Sequence, residues 1–165
     1  MKLLFLLLAL IVGVPRPLLG QSGSPDQMGG INEFNVPDEL RECLRSEPQL
    51  QINGRINPFY LSGDFDGDGI TDFAVQVKSA KGEHPGVLFC FANGKRSIWG
   101  AGVQNKVLSN DGSWPFDSWM LIRKGSKHLS IYPRIKVDVI ALIIADEGGG
   151  LLYWNGKELA WQQEE

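Results

Sequence analysis

The chain has 165 residues, of which 43% are hydrophobic, 10% aromatic and 21% charged. This length allows one domain, and the apolar content is sufficient for a hydrophobic core. The 20 glycines and 9 prolines favour a turn-rich β protein over a helical bundle. The net charge is −3 and no long basic cluster is present, which argues against a nucleic-acid-binding protein.

The N-terminal segment MKLLFLLLALIVGVPRPLLG has the composition of an export signal. Lys2 supplies a positive start, and the apolar run that follows is too short to span a bilayer comfortably. Cleavage after Ser22 or Ser24 fits the small-x-small rule. We therefore predict a signal peptide over residues 1–22, a disordered leader over 23–33 and a secreted or periplasmic protein with no membrane span after cleavage. An uncleaved N-terminal anchor is the alternative.

The segment NVPDELRECLRSEPQ predicts a short helix. Asn35 stands where it can cap the helix, with Asp38 three residues later, and Leu40 and Leu44 lie on one apolar stripe. The remaining chain shows the short apolar runs of β-strands. Asn-Gly pairs at 93–94 and 155–156 predict two tight hairpin turns, each with two residues at positive φ.

The run VIALIIA at 139–145 is nearly all apolar and predicts a central strand buried on both faces. For residues 34–165 we predict a single α+β domain that is mostly β. One short N-terminal helix packs on an antiparallel β meander of about eight strands.

The segment SGDFDGDGITDFAV at 62–75 concentrates four carboxylates within nine residues. Its oxygens have the spacing of the first part of a calcium loop, with a glycine at the sharp turn. The predicted ligands are side-chain carboxylates and one backbone carbonyl: Asp64, Asp66, Asp68, the Ile70 carbonyl and Asp72. Hard oxygen ligands in this number suit Ca²⁺ better than Mg²⁺, which keeps several waters. A solvated acidic turn is the alternative.

The pattern D-x-D-G-D-G-x-x-D between two predicted strands resembles the FG-GAP or VCBS-type calcium loop, here in a single copy. The resemblance implies that Asp72 closes the coordination shell and that Ile70 lends its carbonyl. The chain is too short for the propeller in which such loops recur, so that fold does not follow. The early helix, this loop and the closing LLYWNGKELAW segment also resemble small exported bacterial proteins of unassigned function, which implies no activity.

Two further pairs of residues are candidates for structure or binding. Cys43 and Cys90 can form one disulfide in an exported protein, and two buried free thiols are the alternative. Trp114 and Trp119 flank a predicted loop and offer a binding surface for an extracellular protein or a glycan. The alternative for these tryptophans is that they cover the end of the β core.

The chain contains no P-loop, nucleophile elbow or dinucleotide-binding motif, and neither histidine has a partner at a metal-ligand spacing. These absences favour a non-catalytic, exported Ca²⁺-binding interaction module with a structural ion. The alternative is an extracellular hydrolase that uses loop carboxylates such as Asp117 and Glu147.

Overall fold

The computed structural model describes residues 27–81, 84–104, 112 and 116–164, and the predicted signal peptide lies outside these ranges. Five antiparallel strands form the first sheet: β1 (Leu50–Ile52), β2 (Tyr60–Gly63), β3 (Asp72–Ser79), β4 (Pro85–Cys90) and β5 (Arg96–Gly100). The short strands β1 and β2 pair with different parts of β3, whereas β4 pairs with most of its length.

The second sheet is a four-stranded antiparallel meander. Its strands are β6 (Ser118–Ile122), β7 (Val139–Ile144), β8 (Gly148–Trp154) and β9 (Leu159–Glu164). β7 lies between β6 and β8, and its first four residues are buried on both faces. This confirms the prediction of a central buried strand, although Ile143 near its end is 39% exposed.

Three apolar clusters arrange the sheets in layers. The central cluster lies between the two sheets and contains Phe89 and Trp99 from the first with Trp119 and Leu142 from the second. A second cluster fills the space between the first sheet and helix α1 (Asp38–Arg45). The third covers the outer face of the second sheet, against the segment around the 3₁₀ helix His128–Ile131.

Helix α1 packs on the first sheet through its apolar stripe, in which Leu40 and Leu44 are fully buried. The predicted Asn35 cap is wrong: Asn35 ends a short 3₁₀ helix, Glu33–Asn35, and Pro37 is the N-cap residue without a side-chain bond. Proline locks φ near −65° and gives up an N–H that would have no partner in a first turn, so it opens the helix at little cost.

The predicted fold class is confirmed, because one α-helix packs on antiparallel strands that dominate the described chain. The strands form two stacked sheets and not one meander. The cause is visible in β3, where Val75 and Val77 face the helix while Ala74 faces the second sheet. Both faces of the first sheet are apolar, and one short helix covers only one of them.

Part of the segment predicted as a disordered leader makes contacts with the domain. The side-chain amide of Gln27 donates to the carbonyls of Leu44 (2.8 Å) and Glu47 (3.0 Å), at and just after the C-terminal end of α1. Met28 and Ile31 pack against the helix-side cluster. Within the described residues, no helix is long and apolar enough to cross a membrane.

Candidate metal centre

The acidic loop, residues 64–71, connects β2 to β3, and the pairing of Gly63 with Asp72 brings its two ends together. Gly67 and Gly69 have φ values of +85° and +88°, which side chains with a Cβ rarely adopt. The alternation of aspartate and glycine therefore lets the backbone turn tightly enough to bring Asp64 and Asp66 close to Asp72.

Backbone N–H groups of the loop donate to its own carboxylates. Asp64 Oδ1 accepts from Gly67 N (2.8 Å), Asp66 Oδ1 from Asp68 N (3.2 Å) and Asp68 Oδ1 from Ile70 N (2.7 Å). Such Asx-type bonds are the local reason why aspartate, more than glutamate, suits a loop of this shape.

Three of the five predicted ligands converge. One carboxylate oxygen from each of Asp64, Asp66 and Asp72 lies within 4.8 Å of the others, so the three residues could hold a metal ion. Asp68 is exposed and does not belong to this acidic triad. Ile70 exposes 59% of its surface, and its N–H is bonded to Asp68.

Asp72 is the buried member of the triad, with 1% of its surface exposed. Its Oδ2 accepts hydrogen bonds from Phe65 N (2.8 Å) and Asp66 N (3.2 Å), and its Oδ1 accepts from Ala92 N (2.8 Å). Burial raises the pKa of Asp72, the charge of Asp66 adds to the rise, and these backbone bonds offset only part of it. A cation beside Asp72 would favour its ionised form.

A lysine from the second sheet also reaches the triad. The Lys124 ammonium donates to Asp64 Oδ2, from 60 residues away in the chain. Burial acts to raise the pKa of Asp64, but the bond from Lys124 and the backbone N–H groups of Gly69 and Gly67 outweigh it and lower that pKa. The same contact raises the pKa of Lys124. Nothing in the sequence around the acidic loop indicates this cation.

Asp138 attaches the loop to the second sheet and is only 2% exposed. Its Oδ2 accepts from Asp64 N (3.0 Å) and from Arg123 Nη1 (2.8 Å), and its Oδ1 accepts from Lys124 N (2.8 Å). Asp138 N in turn donates to the Asp64 carbonyl (3.0 Å). One carboxylate thus fixes both the first predicted ligand and the strand end that carries Lys124. The only signal in the sequence is an acid inside the apolar alternation KVDVI.

Phe65 anchors the loop in the central core. It is fully buried between two metal-ligand candidates, and its ring meets Phe89 edge-on with centroids 5.2 Å apart. A large apolar residue between two aspartates is the sequence signal for this anchor. A second contact holds the loop to the first sheet: Asn93 of the β4–β5 turn donates from Nδ2 to Asp66 Oδ2 (2.8 Å).

The structure forms the predicted disulfide but buries one of the two tryptophans predicted to offer a binding surface. Cys43 and Cys90 form a disulfide that joins α1 to β4, with both residues buried. Trp119 is 5% exposed and belongs to the central cluster, and its Nε1 donates to the Pro58 carbonyl (2.7 Å). It is therefore a core residue and not part of an exposed binding surface, while Trp114 lies outside the described residues.

Asp117, one of the two carboxylates named for the alternative hydrolase site, has structural partners. Asp117 Oδ2 accepts from Ala145 N (2.8 Å), and its other oxygen lies 3.7 Å from Arg55. The Asp138 carboxylate accepts the three hydrogen bonds described above. Glu147 is exposed in the turn between β7 and β8.

Comparison with known proteins gives no relative: no protein-family model matches the chain, and neither does any curated protein or solved structure.

Proposed function

We propose that this protein is an exported, non-catalytic interaction module in which one Ca²⁺ stabilises the acidic loop. The observation that carries the proposal is the convergence of Asp64, Asp66 and Asp72 within 4.8 Å. The Asp68 side chain and the Ile70 carbonyl complete the proposed ligand set, as the resemblance to the FG-GAP or VCBS-type loop implies.

The charges at the loop support a cation of high charge. Lys124 is the one ammonium bonded to the triad among the described residues, and it faces three carboxylates with a fourth close in sequence. One positive charge leaves the group strongly acidic. A divalent cation with several oxygen ligands fits that excess, and Ca²⁺ accepts the crowded carboxylates that Mg²⁺ avoids.

The ion is proposed to be structural and not catalytic. Its ligands all come from one short segment, the acidic loop and the first residue of β3, and this segment is held by backbone bonds to Asp72 and by the buried Phe65. An ion bound only by the folded state adds stability that grows with the logarithm of its free concentration above the Kd. The Cys43–Cys90 disulfide agrees with an oxidising compartment outside the cytoplasm.

The test is thermal unfolding of the chain after expression from its full sequence in an export-competent bacterial host. We expect excess CaCl₂ to raise the midpoint relative to EGTA, and equal MgCl₂ to raise it less. Asp66→Asn should abolish the rise. Asp146→Asn, at an exposed turn residue, removes the same charge and should keep it. Coincident curves in CaCl₂ and EGTA for the unsubstituted protein would refute the calcium site.

The same preparation tests export. Intact mass of the purified protein should correspond to cleavage after Ser22 or Ser24, and the protein should be recovered from the periplasmic or extracellular fraction. An uncleaved chain found only in the cytoplasm would contradict the proposed location, whatever the outcome with calcium.

A further inference from the structure

A cleft of about 580 Å³ lies beside the acidic loop, between α1 and the turn that joins β4 to β5. Its floor is apolar and contains Phe73 and the Cys43–Cys90 disulfide. Ile70 lines the same cleft with 59% of its surface exposed. The volume falls within the range of clefts that bind drug-sized ligands.

The two sides of this cleft carry opposite charges. Glu39 and Glu42 line it from α1, and Lys95 and Arg96 line it from the β4–β5 turn and the start of β5. Glu42 is bonded to Arg45 within the helix (2.6 Å). In the described part of the chain, no ion pair engages the side chain of Lys95 or Arg96, so the basic side keeps its charge available for an occupant.

We propose that this cleft is the docking site of the module and that its occupant is a short peptide segment of a partner protein. That segment carries apolar side chains flanked by a basic residue at one end and an acidic residue at the other. The basic residue faces Glu39 and Glu42, the acidic residue faces Lys95 and Arg96, and the apolar side chains cover Phe73 and the disulfide. The proposal rests on the interaction function proposed above and gives it a place and a ligand chemistry.

The charge pattern distinguishes this occupant from a glycan. An anionic glycan would meet repulsion from Glu39 and Glu42, and a neutral glycan would leave both charged sides without a partner. A peptide with both charges matches the two sides and places its apolar part on the apolar floor. Such complementarity sets specificity more than raw affinity, so weak and selective binding is expected.

The cleft shares a wall with the candidate metal centre. Ile70, whose carbonyl is a predicted ligand, and Thr71, which precedes the ligand Asp72, both line the cleft. Ala92 also lines it, and its N–H holds Asp72 Oδ1 at 2.8 Å. An ion that orders the acidic loop would order this wall, so calcium and peptide should bind with positive, reciprocal coupling.

The experiment is an NMR titration of the ¹⁵N-labelled protein with the peptide acetyl-Lys-Leu-Leu-Glu-amide, once in CaCl₂ and once in EGTA. Expected shifts are confined to amides of the segments 39–43, 70–73 and 90–96, which line the cleft, with tighter binding in CaCl₂. Peptides with two lysines or two glutamates at the ends should bind about fivefold more weakly, the upper range for one exposed charge pair. Replacing both leucines by glycine should abolish binding.

A charge reversal on the acidic side gives a sharper test. Glu39→Lys should invert the preference, so that the peptide with two glutamates binds more tightly than the one with a lysine and a glutamate. Glu147→Lys makes the same charge change in the turn between β7 and β8 and should leave the preference intact.

Shifts outside the cleft, no binding in either buffer, or binding of a neutral oligosaccharide at residues 70–73 in place of the peptides would each overturn the proposal. Peptide binding that is equal in CaCl₂ and EGTA would support the docking site and count against its coupling to calcium. The calcium site itself is tested separately, by the thermal unfolding midpoints in CaCl₂ and EGTA.

Discussion

Replacing Asp138 should damage both the fold and the ion site, although Asp138 is not a predicted ligand. The change Asp138→Asn keeps the shape of the side chain and replaces one accepting oxygen by a donating NH₂. The new amide can be oriented so that its oxygen still accepts hydrogen bonds from Asp64 N and Arg123. Its NH₂ group then faces the Lys124 N–H. The Lys124 N–H then loses its acceptor, and the new NH₂ on this buried side chain faces another donor, which together cost about 2 kcal/mol of unfolding free energy.

The assay is urea unfolding in EGTA, followed by tryptophan fluorescence. Asp117→Asn is the matched control, because Asp117 also accepts a backbone N–H at 2.8 Å but its side chain is 53% exposed. Water can replace the lost partner there, so the cost should stay below about 1 kcal/mol. Equal costs for the two variants would refute the reasoning that burial makes Asp138 decisive.

A calcium titration of the Asp138→Asn protein extends this test to the metal centre. The bond between Asp64 N and Asp138 positions the first predicted ligand, so calcium affinity should fall even though all five predicted ligands remain. An unchanged affinity would mean that the loop holds its shape without the second sheet.

Three further changes test separate parts of the arrangement. Lys124→Gln removes the ammonium that competes with a cation for Asp64, so calorimetry should show calcium affinity about threefold higher, with the gain shrinking as salt is added. Replacing both Cys43 and Cys90 by serine opens a loop with a sequence separation of 47, which should lower the unfolding free energy by about 4 kcal/mol in denaturant titrations. Phe65→Ala removes a fully buried ring and should cost about 3–5 kcal/mol, and it should weaken calcium binding in the same titration as Asp138→Asn because the loop loses its anchor.

Strand burial and turn positions could be predicted from the sequence, because both depend on residues that are near one another in the chain. The alternation in β3 and the apolar run of β7 correctly predicted which strands face the cores. The Asn93–Gly94 turn was placed correctly, but only Gly94 has positive φ, because the turn closes over a longer loop with a bond from Gly94 N to Phe91 O. Asn93 instead uses its side chain to hold Asp66, a role that turn statistics do not reveal.

The partners of the acidic loop could not be predicted, because they come from another sheet. Asp138 lies 74 residues from Asp64 in the chain, and Lys124 lies 60 residues away. Local repulsion between aspartates indicated that some cation was needed. It could not indicate that the fold itself delivers one ammonium, and this contact exists only once the two sheets have stacked.

This arrangement predicts that calcium stabilises more than its own loop. Asp64 is bonded through its backbone to Asp138, which also holds Lys124 N, so an ion that fixes Asp64 restrains the entry to β7 and the exit from β6. Amide hydrogen exchange should therefore slow in CaCl₂ at Lys124 and Asp138 as well as within 64–72. Asp66→Asn should remove the effect at both places, and Asp146→Asn should retain it. Protection confined to the loop would show that the ion site and the second sheet open independently, and the bonds through Asp138 would then carry no stabilisation from the ion.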